Sequence, residues 1–346
     1  MKAAVFYGPR DIRIDQAADP KLKDATDAIV RVTHSCVCGS DLWSFRGMSD
    51  RKKKTVIGHE FIGIVEEIGA GVKKIKNGDF VISPFSRSDG ICPECLAGIS
   101  SSCRNGGYWG EGGYGACQAE FVRVPNSDHM LFKVPKNKTS KKLMPAFLAL
   151  SDVLCTGYHA AVCAGVGKEK TVAVIGDGAV GLCAVLSSKF LGAKKIILLS
   201  THPDRAKLGR KLGASDIVSA RGEKAFKAVR KLTKDTGADC VLECVGTKES
   251  WKTAFKIVRK GGRIGWVGVP HDVAPINIGD VFGENVGIMG GRAPAASYIP
   301  KLLPHVLSGE LSMSGDVFTK TIKLGDIQKG YEAMDKRREI KVLIKL

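Results

Sequence analysis

The hydrophobic rhythm of the chain changes near residue 150. Before it, short apolar runs of β type (KAAVFY, AIVRVTH, DFVISPF, EFVRVP) are broken by Gly, Pro and Asp, as in an irregular, mostly β domain. From 151 to 290 the runs TVAVIG, KIILLS, DCVLECVG and GRIGWVGVP alternate with helix-length segments such as AVGLCAVLSSKFLGA and PDRAKLGRKLGA. Alternation of this kind predicts an α/β domain, a parallel sheet covered by helices on both faces. Residues 291–346 are expected to hold a helix around Ile299–Leu307 and a final strand, IKVLIKL. No internal repeat is visible.

Composition narrows the class. A chain of 346 residues is long enough for two domains, and 44% hydrophobic with 25% charged residues is ordinary for globular proteins. No run approaches the roughly 20 apolar residues of a membrane span. The start, MKAAVFYGPRDIRID, meets charged residues too early for a signal h-region. A cytoplasmic protein without a membrane partner is therefore expected, with its eleven cysteines as thiols and metal ligands. The net charge of +18 is high, but the basic residues are scattered and interleave with apolar ones at helical spacing. Solvated helix faces account for that better than a nucleic-acid surface, and no nucleic-acid partner is expected.

The run TVAVIG leads into Gly176-Asp177-Gly178-Ala179-Val180-Gly181 and an apolar helix. This is GxGxxG between a strand and a helix, the context of a dinucleotide-binding Rossmann fold. Gly176 makes the turn, Gly178 admits a pyrophosphate, and Gly181 allows close helix–strand packing, with the phosphates at the helix N-terminus. Cofactor choice turns on an absence. An NAD site carries Asp or Glu at the end of the second strand, about 20 residues beyond the glycines. That strand is followed here by Ser200-Thr201-His202-Pro203-Asp204-Arg205, and Asp204 falls in the next helix's first turn. Ser200 and Thr201 as donors, with charge from His202 and Arg205, predict NADP(H). The alternative is a solvated Arg205 and acceptance of both cofactors.

The stretch VIGHEFIGIVEEIGAGV, residues 56–72, pairs His59 with Glu60 among repeated glycines. Alone, it suits a core histidine, a surface acid and turn glycines equally well. Upstream stands Cys38-Gly39-Ser40-Asp41, and downstream Ser151-Asp152-Val153-Leu154-Cys155-Thr156-Gly157. Cys, His, Glu and Asp all ligate zinc, and three protein ligands plus an open position make a catalytic site. With Gly58, His59, Glu60, Gly63, Gly69 and Val72 in the pattern G-H-E-x2-G-x5-G-x2-V, the chain resembles zinc-dependent medium-chain alcohol dehydrogenases along its whole length. The nearest likeness is to bacterial NADP-dependent secondary-alcohol dehydrogenases and carbonyl reductases.

The resemblance implies a GroES-like catalytic domain over 1–150, completed by 291–346, and a Rossmann domain over 151–290. It makes Cys38, His59 and Asp152 ligands of a catalytic zinc, with Glu60 a fourth, exchangeable one and Asp152 in place of the family's second Cys. Asp41 would accept from the free imidazole nitrogen of His59 and fix its tautomer. Ser40 would relay the proton, and Trp43 stands where many members continue that relay with a histidine. Trp43 is expected to narrow an apolar substrate pocket with Trp109, core packing being the alternative for both. Thr156, Val245, Gly246 and Lys341 are expected on the cofactor.

A second cluster, Asp89, Cys92, Cys95 and Cys103, follows D-x2-C-x2-C-x7-C. The family's structural-zinc lobe has Cys at all four places, and a carboxylate is an acceptable replacement, so a second zinc is expected. The implied reaction is hydride transfer between NADP(H) and an alcohol with its ketone or aldehyde, in a homodimer or homotetramer. A polyol or amino-alcohol dehydrogenase is the rival within the family. The intact Cys38/His59/Asp152 set disfavours the zinc-free quinone reductases, and a non-catalytic nucleic-acid-binding protein draws on charge alone.

Overall fold

The computed structural model describes residues 1–271 and 276–346. It forms two compact units, Met1–Asp152 with Pro294–Leu346, and Val153–Ala293. Among the described residues no single helix is long and apolar enough to cross a membrane.

The first unit is built around the long strand Ala28–Val37. One edge pairs antiparallel with Phe61–Ile68. The other edge is shared, Phe121–Val124 lying along Ala28–Arg31 and the C-terminal strand Lys341–Lys345 along His34–Val37. Phe318–Lys323 extends the sheet beyond that strand, and Phe80–Ser83 and Phe132–Lys133 extend it on the opposite side. The chain's last residues thus complete a sheet begun by its first. Apolar side chains on the two faces feed separate cores, one around Phe45, Tyr331 and Val342, the other around Phe61, Trp109 and Val122.

The second unit carries six parallel strands in the order Asp216–Val218, Lys195–Leu199, Thr171–Ile175, Ala238–Glu243, Val258–Trp266, Gly287–Gly290. Numbered along the chain, this is order 3-2-1-4-5-6, that of a Rossmann sheet. Three of its inner strands, Thr171–Ile175, Lys195–Leu199 and Ala238–Glu243, are mostly buried apolar runs, as in a sheet covered on both faces. The helix Pro203–Leu212 shows how local sequence sets an element. Pro203 begins it with Asp204 in the first turn, and Gly213 ends it at φ 126°.

Candidate active site and metal centres

Four donors converge in the first unit from separate parts of the sequence. Cys38 leaves the end of Ala28–Val37, His59 and Glu60 enter Phe61–Ile68, and Asp152 follows the helix Met144–Ser151. Their ligand atoms all lie within 4.8 Å of one another. Gly58 makes the approach possible. It has φ 101°, and a Cβ there would lie 2.5 Å from the Gln118 side chain.

The imidazole is oriented from behind. Asp41 Oδ1 lies 3.5 Å from His59 Nδ1, while Asp41 Oδ2 accepts from the Cys38 backbone N–H at 3.0 Å. Nε2 is left facing Glu60 Oε1 at 3.7 Å and Asp152 Oδ2 at 3.8 Å, and the Cys38 Sγ is 3.6 Å from that same Oδ2. Burial alone would depress the His59 pKa, but the charges of Asp41 and Cys38 and the hydrogen bond to Asp152 hold it well above the usual value. Burial also pushes the Cys38 thiol and the Glu60 carboxyl up, against the opposing charge of Lys341. Glu60 Oε2 is buried without a hydrogen-bond partner. Three acidic donors, one imidazole and an orphaned carboxylate oxygen in so small a volume call for a cation, and the donor types suit zinc.

Lys341 corrects an expectation. Its Nζ is 2.7 Å from Glu60 Oε1 and 3.4 Å from the Val37 carbonyl, and both side chains of the pair are 1% exposed. Its charge is paired with Glu60. Trp109 is a second correction. It is 4% exposed, packs edge-on against Phe61 and donates from Nε1 to the Pro84 carbonyl at 3.0 Å, so it belongs to the core, the alternative to a place in the substrate pocket. Trp43 is half-buried in the short helix Asp41–Phe45, and Ser40 is exposed at that helix's N-cap.

In the lobe, the ligand atoms of Asp89, Cys92, Cys95 and Cys103 also lie within 4.8 Å of one another. Asp89 Oδ1 accepts from the backbone N–H groups of Ile91 at 2.9 Å and Cys92 at 3.0 Å, and Oδ2 accepts from Asn105 at 2.8 Å. These donors hold its carboxyl far below the usual range, whereas burial pushes the Cys95 thiol up to about 12. A bound cation would reverse that thiol's preference.

In the second unit the glycine-rich turn joins Thr171–Ile175 to the helix Ala179–Phe190, which Ala179 and Val180 begin. Gly176 has φ 114°, and a Cβ on Gly181 would lie 2.0 Å from the Gly176 carbonyl. A Cβ on Gly178 would meet nothing within 4 Å, so the open cradle above the helix N-terminus suits a pyrophosphate. Thr156 is buried in Val153–Cys163. The loop with Val245 and Gly246 is held by Glu243, whose Oε1 accepts both backbone N–H groups at 2.9 and 2.8 Å.

The residues expected to face a 2′-phosphate are differently engaged. Ser200 Oγ donates to Asp177 Oδ2 at 2.8 Å, and His202 Nδ1 lies 2.9 Å from the same oxygen. Arg205 is 3.5 Å from Asp177 Oδ1. Arg221 donates to Thr201 Oγ1 at 3.2 Å. Asp177 and Arg221 were not anticipated. The signal for Asp177 was an acid inside the GxGxxG motif itself, whereas Arg221 is distant in sequence and carried none.

Comparison with known proteins agrees with this architecture. Residues 24–136 match the alcohol dehydrogenase GroES-like domain and residues 179–308 the zinc-binding dehydrogenase domain. The chain is 36% identical to zinc-type alcohol dehydrogenase B of Aspergillus flavus, over 100% of this chain and 81% of that one. It superposes on the alcohol dehydrogenase TADH from Thermus sp. ATN1 with a TM-score of 0.93 at 33% identity, covering 100% and 99% of the two chains. Zinc-dependent alcohol dehydrogenase 2 from Streptococcus pneumonia gives 0.90 at 30% identity, covering 100% and 98%.

Proposed function

The chain belongs to the zinc-dependent medium-chain alcohol dehydrogenase family, and from that premise we propose that it interconverts a small alcohol and its ketone or aldehyde with a nicotinamide dinucleotide. The observation that carries this reading is the buried convergence of Cys38, His59, Glu60 and Asp152 in a chain that also folds a Rossmann unit. Zinc held by Cys38, His59 and Asp152 would act as a Lewis acid toward the substrate oxygen, and the nicotinamide would exchange hydride with the carbinol carbon. The remaining chemistry lies in the protein. With a metal bound, Asp41 beside Nδ1 would hold the ring proton there and leave the Nε2 lone pair as the ligand. Lys341 holds Glu60 by Oε1, the oxygen that also faces His59 Nε2, and so fixes the carboxylate beside the other donors. The exposed hydroxyl of Ser40, two residues from Cys38, can pass the substrate's proton toward water.

Cofactor choice is the finer part of the reading. The expectation of NADP(H) rests on the missing acid at Ser200 and on the charge of Arg205. It is opposed by the pairing of Ser200, His202 and Arg205 with Asp177. A homodimer is supported by the sheet edge. Gly287–Gly290 pairs on one side only among the described strands, beside the exposed side chains of Met289, Ile278 and Phe282. The lobe of Asp89, Cys92, Cys95 and Cys103 is assigned to a structural zinc on its donor set.

The deciding assay is reduced-cofactor oxidation against a panel of ketones and aldehydes, before and after exhaustive chelation with the metal content measured in parallel. Turnover that vanishes with the metal and returns with zinc is expected. Full turnover in metal-free protein, or none with any carbonyl, would overturn the reading.

A further inference from the structure

We propose that Asp177 is the cofactor-selecting residue, supplying from the glycine-rich turn the carboxylate absent from the end of the second strand, so that the enzyme prefers NAD(H). The inference rests on the reading above that this turn binds a nicotinamide dinucleotide.

Strands Thr171–Ile175 and Lys195–Leu199 are parallel neighbours, with Ile175 level with Leu199. The first residues beyond each therefore lie side by side, and Asp177 meets Ser200 and His202 across that gap. Selection at a Rossmann ribose depends on a carboxylate near the 2′ position, ordinarily supplied from the end of the second strand, the place Asp177 reaches here from the end of the first. Asp177 satisfies that requirement. It retains 13% side-chain exposure, so a ribose hydroxyl can reach it.

Its neighbours fix its charge and orientation. An ionised carboxylate can only accept, so Ser200 Oγ and His202 Nδ1 both donate to Oδ2, while Arg205 lies 3.5 Å from Oδ1. Burial alone would raise the Asp177 pKa, but the hydrogen bonds from His202 and Ser200 and the charge of Arg205 hold it below the ordinary range. A carboxylate oxygen has more than one lone-pair site, so a 2′-hydroxyl can donate to Asp177 without displacing these partners.

A 2′-phosphate fares differently. It would bring a second anion against Asp177, and Ser200, His202 and Arg205 could serve it only by abandoning the carboxylate. Arg221, bonded to Thr201 Oγ1, is the nearby base not paired with Asp177 among the contacts described. One partly exposed arginine does not outweigh the loss of two hydrogen bonds and an ion pair.

Binding of 5′-AMP, 2′,5′-ADP, NADH and NADPH should be measured by calorimetry on the zinc-loaded protein, in wild type and Asp177→Asn. The amide preserves shape while removing the charge. Wild type is expected to bind NADH more tightly than NADPH, and 5′-AMP more tightly than 2′,5′-ADP. In Asp177→Asn both ratios should move toward the phosphorylated ligand by roughly ten- to a hundredfold, the scale of one charge-assisted hydrogen bond. Wild type that favours NADPH, or ratios unmoved by the substitution, would overturn the assignment. Arg205→Ala separates charge from fold, because it should weaken 2′,5′-ADP binding to Asp177→Asn and barely affect 5′-AMP. A protein that binds no adenine nucleotide at all would overturn the dinucleotide reading beneath the proposal. One that binds NADH but oxidises no alcohol would overturn only the substrate reading, while the binding ratios still decide the role of Asp177.

Discussion

At the scale of single residues, the metal centre is a problem of compensated charge. Removing Asp152 leaves Cys38, His59 and Glu60 one ligand short, so Asp152→Ala should lose zinc from this site and at least a hundredfold in turnover. Elemental analysis beside kcat checks this, and full activity with tightly held zinc would exclude Asp152 as a ligand. Lys341 is the opposite case, a buried cation on which Glu60 depends. Lys341→Met strands that carboxylate and should cost about 3–5 kcal/mol of stability, read as a lower Tm of the zinc-loaded protein. Asp177 carries the acid-side prediction. Its folded pKa is depressed, so the stability it contributes is complete above the ordinary carboxylate value of about 3.9 and is lost as pH falls through the lower folded value. The Tm difference between wild type and Asp177→Asn should therefore be constant near neutrality and shrink below about pH 4.

At the scale of elements, function depends on where strands end. The strand Ala28–Val37 stops one residue before Cys38, Phe61–Ile68 starts one residue after Glu60, and the shared sheet brings those ends together. The dinucleotide turn is equally tight. Gly181→Ala would drive a methyl group into the Gly176 carbonyl and should destabilise the second unit by about 1–3 kcal/mol while weakening NADH binding. The cysteine lobe is held by short helices and turns with little apolar core of its own, Ile91 and Leu96 being exposed. A metal is the natural staple for such a segment. Metal-replete protein should contain two zinc per chain and Cys95→Ser one, with faster proteolysis near residues 89–103. One zinc in both would leave the lobe metal-free.

At the scale of the whole molecule, the net charge of +18 has no single seat in the fold. Basic side chains on several helices and loops pair locally with acids, as in Lys256–Glu223 and Arg104–Glu94. The sheet edge at Gly287–Gly290 is the more consequential surface, because a strand paired on one side only among the described residues, with exposed Met289 on it and exposed Phe282 shortly before it in the chain, invites pairing with another copy. Light scattering should find at least a dimer in wild type, and Phe282→Glu should shift it toward monomer. A wild-type monomer at tens of micromolar would remove the dimer proposal.

The parts legible in the sequence were those governed by local rules. Apolar periodicity marked the change from β-rich to alternating α/β chain, and the turn at Gly176 to Gly181 and the helix start at Pro203 follow from backbone geometry alone. The cysteine spacing is a short-range pattern, whereas Cys38, His59 and Asp152 were joined into one set only by the family resemblance, and the fold brings both groups of donors together. Tertiary structure decided the rest, because burial and pairing partners are properties of distant segments. Trp109 became core through Phe61 and Pro84, and Lys341 was paired with Glu60 by a C-terminal strand that docks beside Ala28–Val37. Ser200 and His202 met Asp177 because parallel pairing sets two loops side by side that lie more than twenty residues apart in the chain. The sequence by itself determined which chemical groups this protein owns; only the fold decided which of them are already satisfied by one another, since a charge or donor is available to a ligand only when no closer partner holds it.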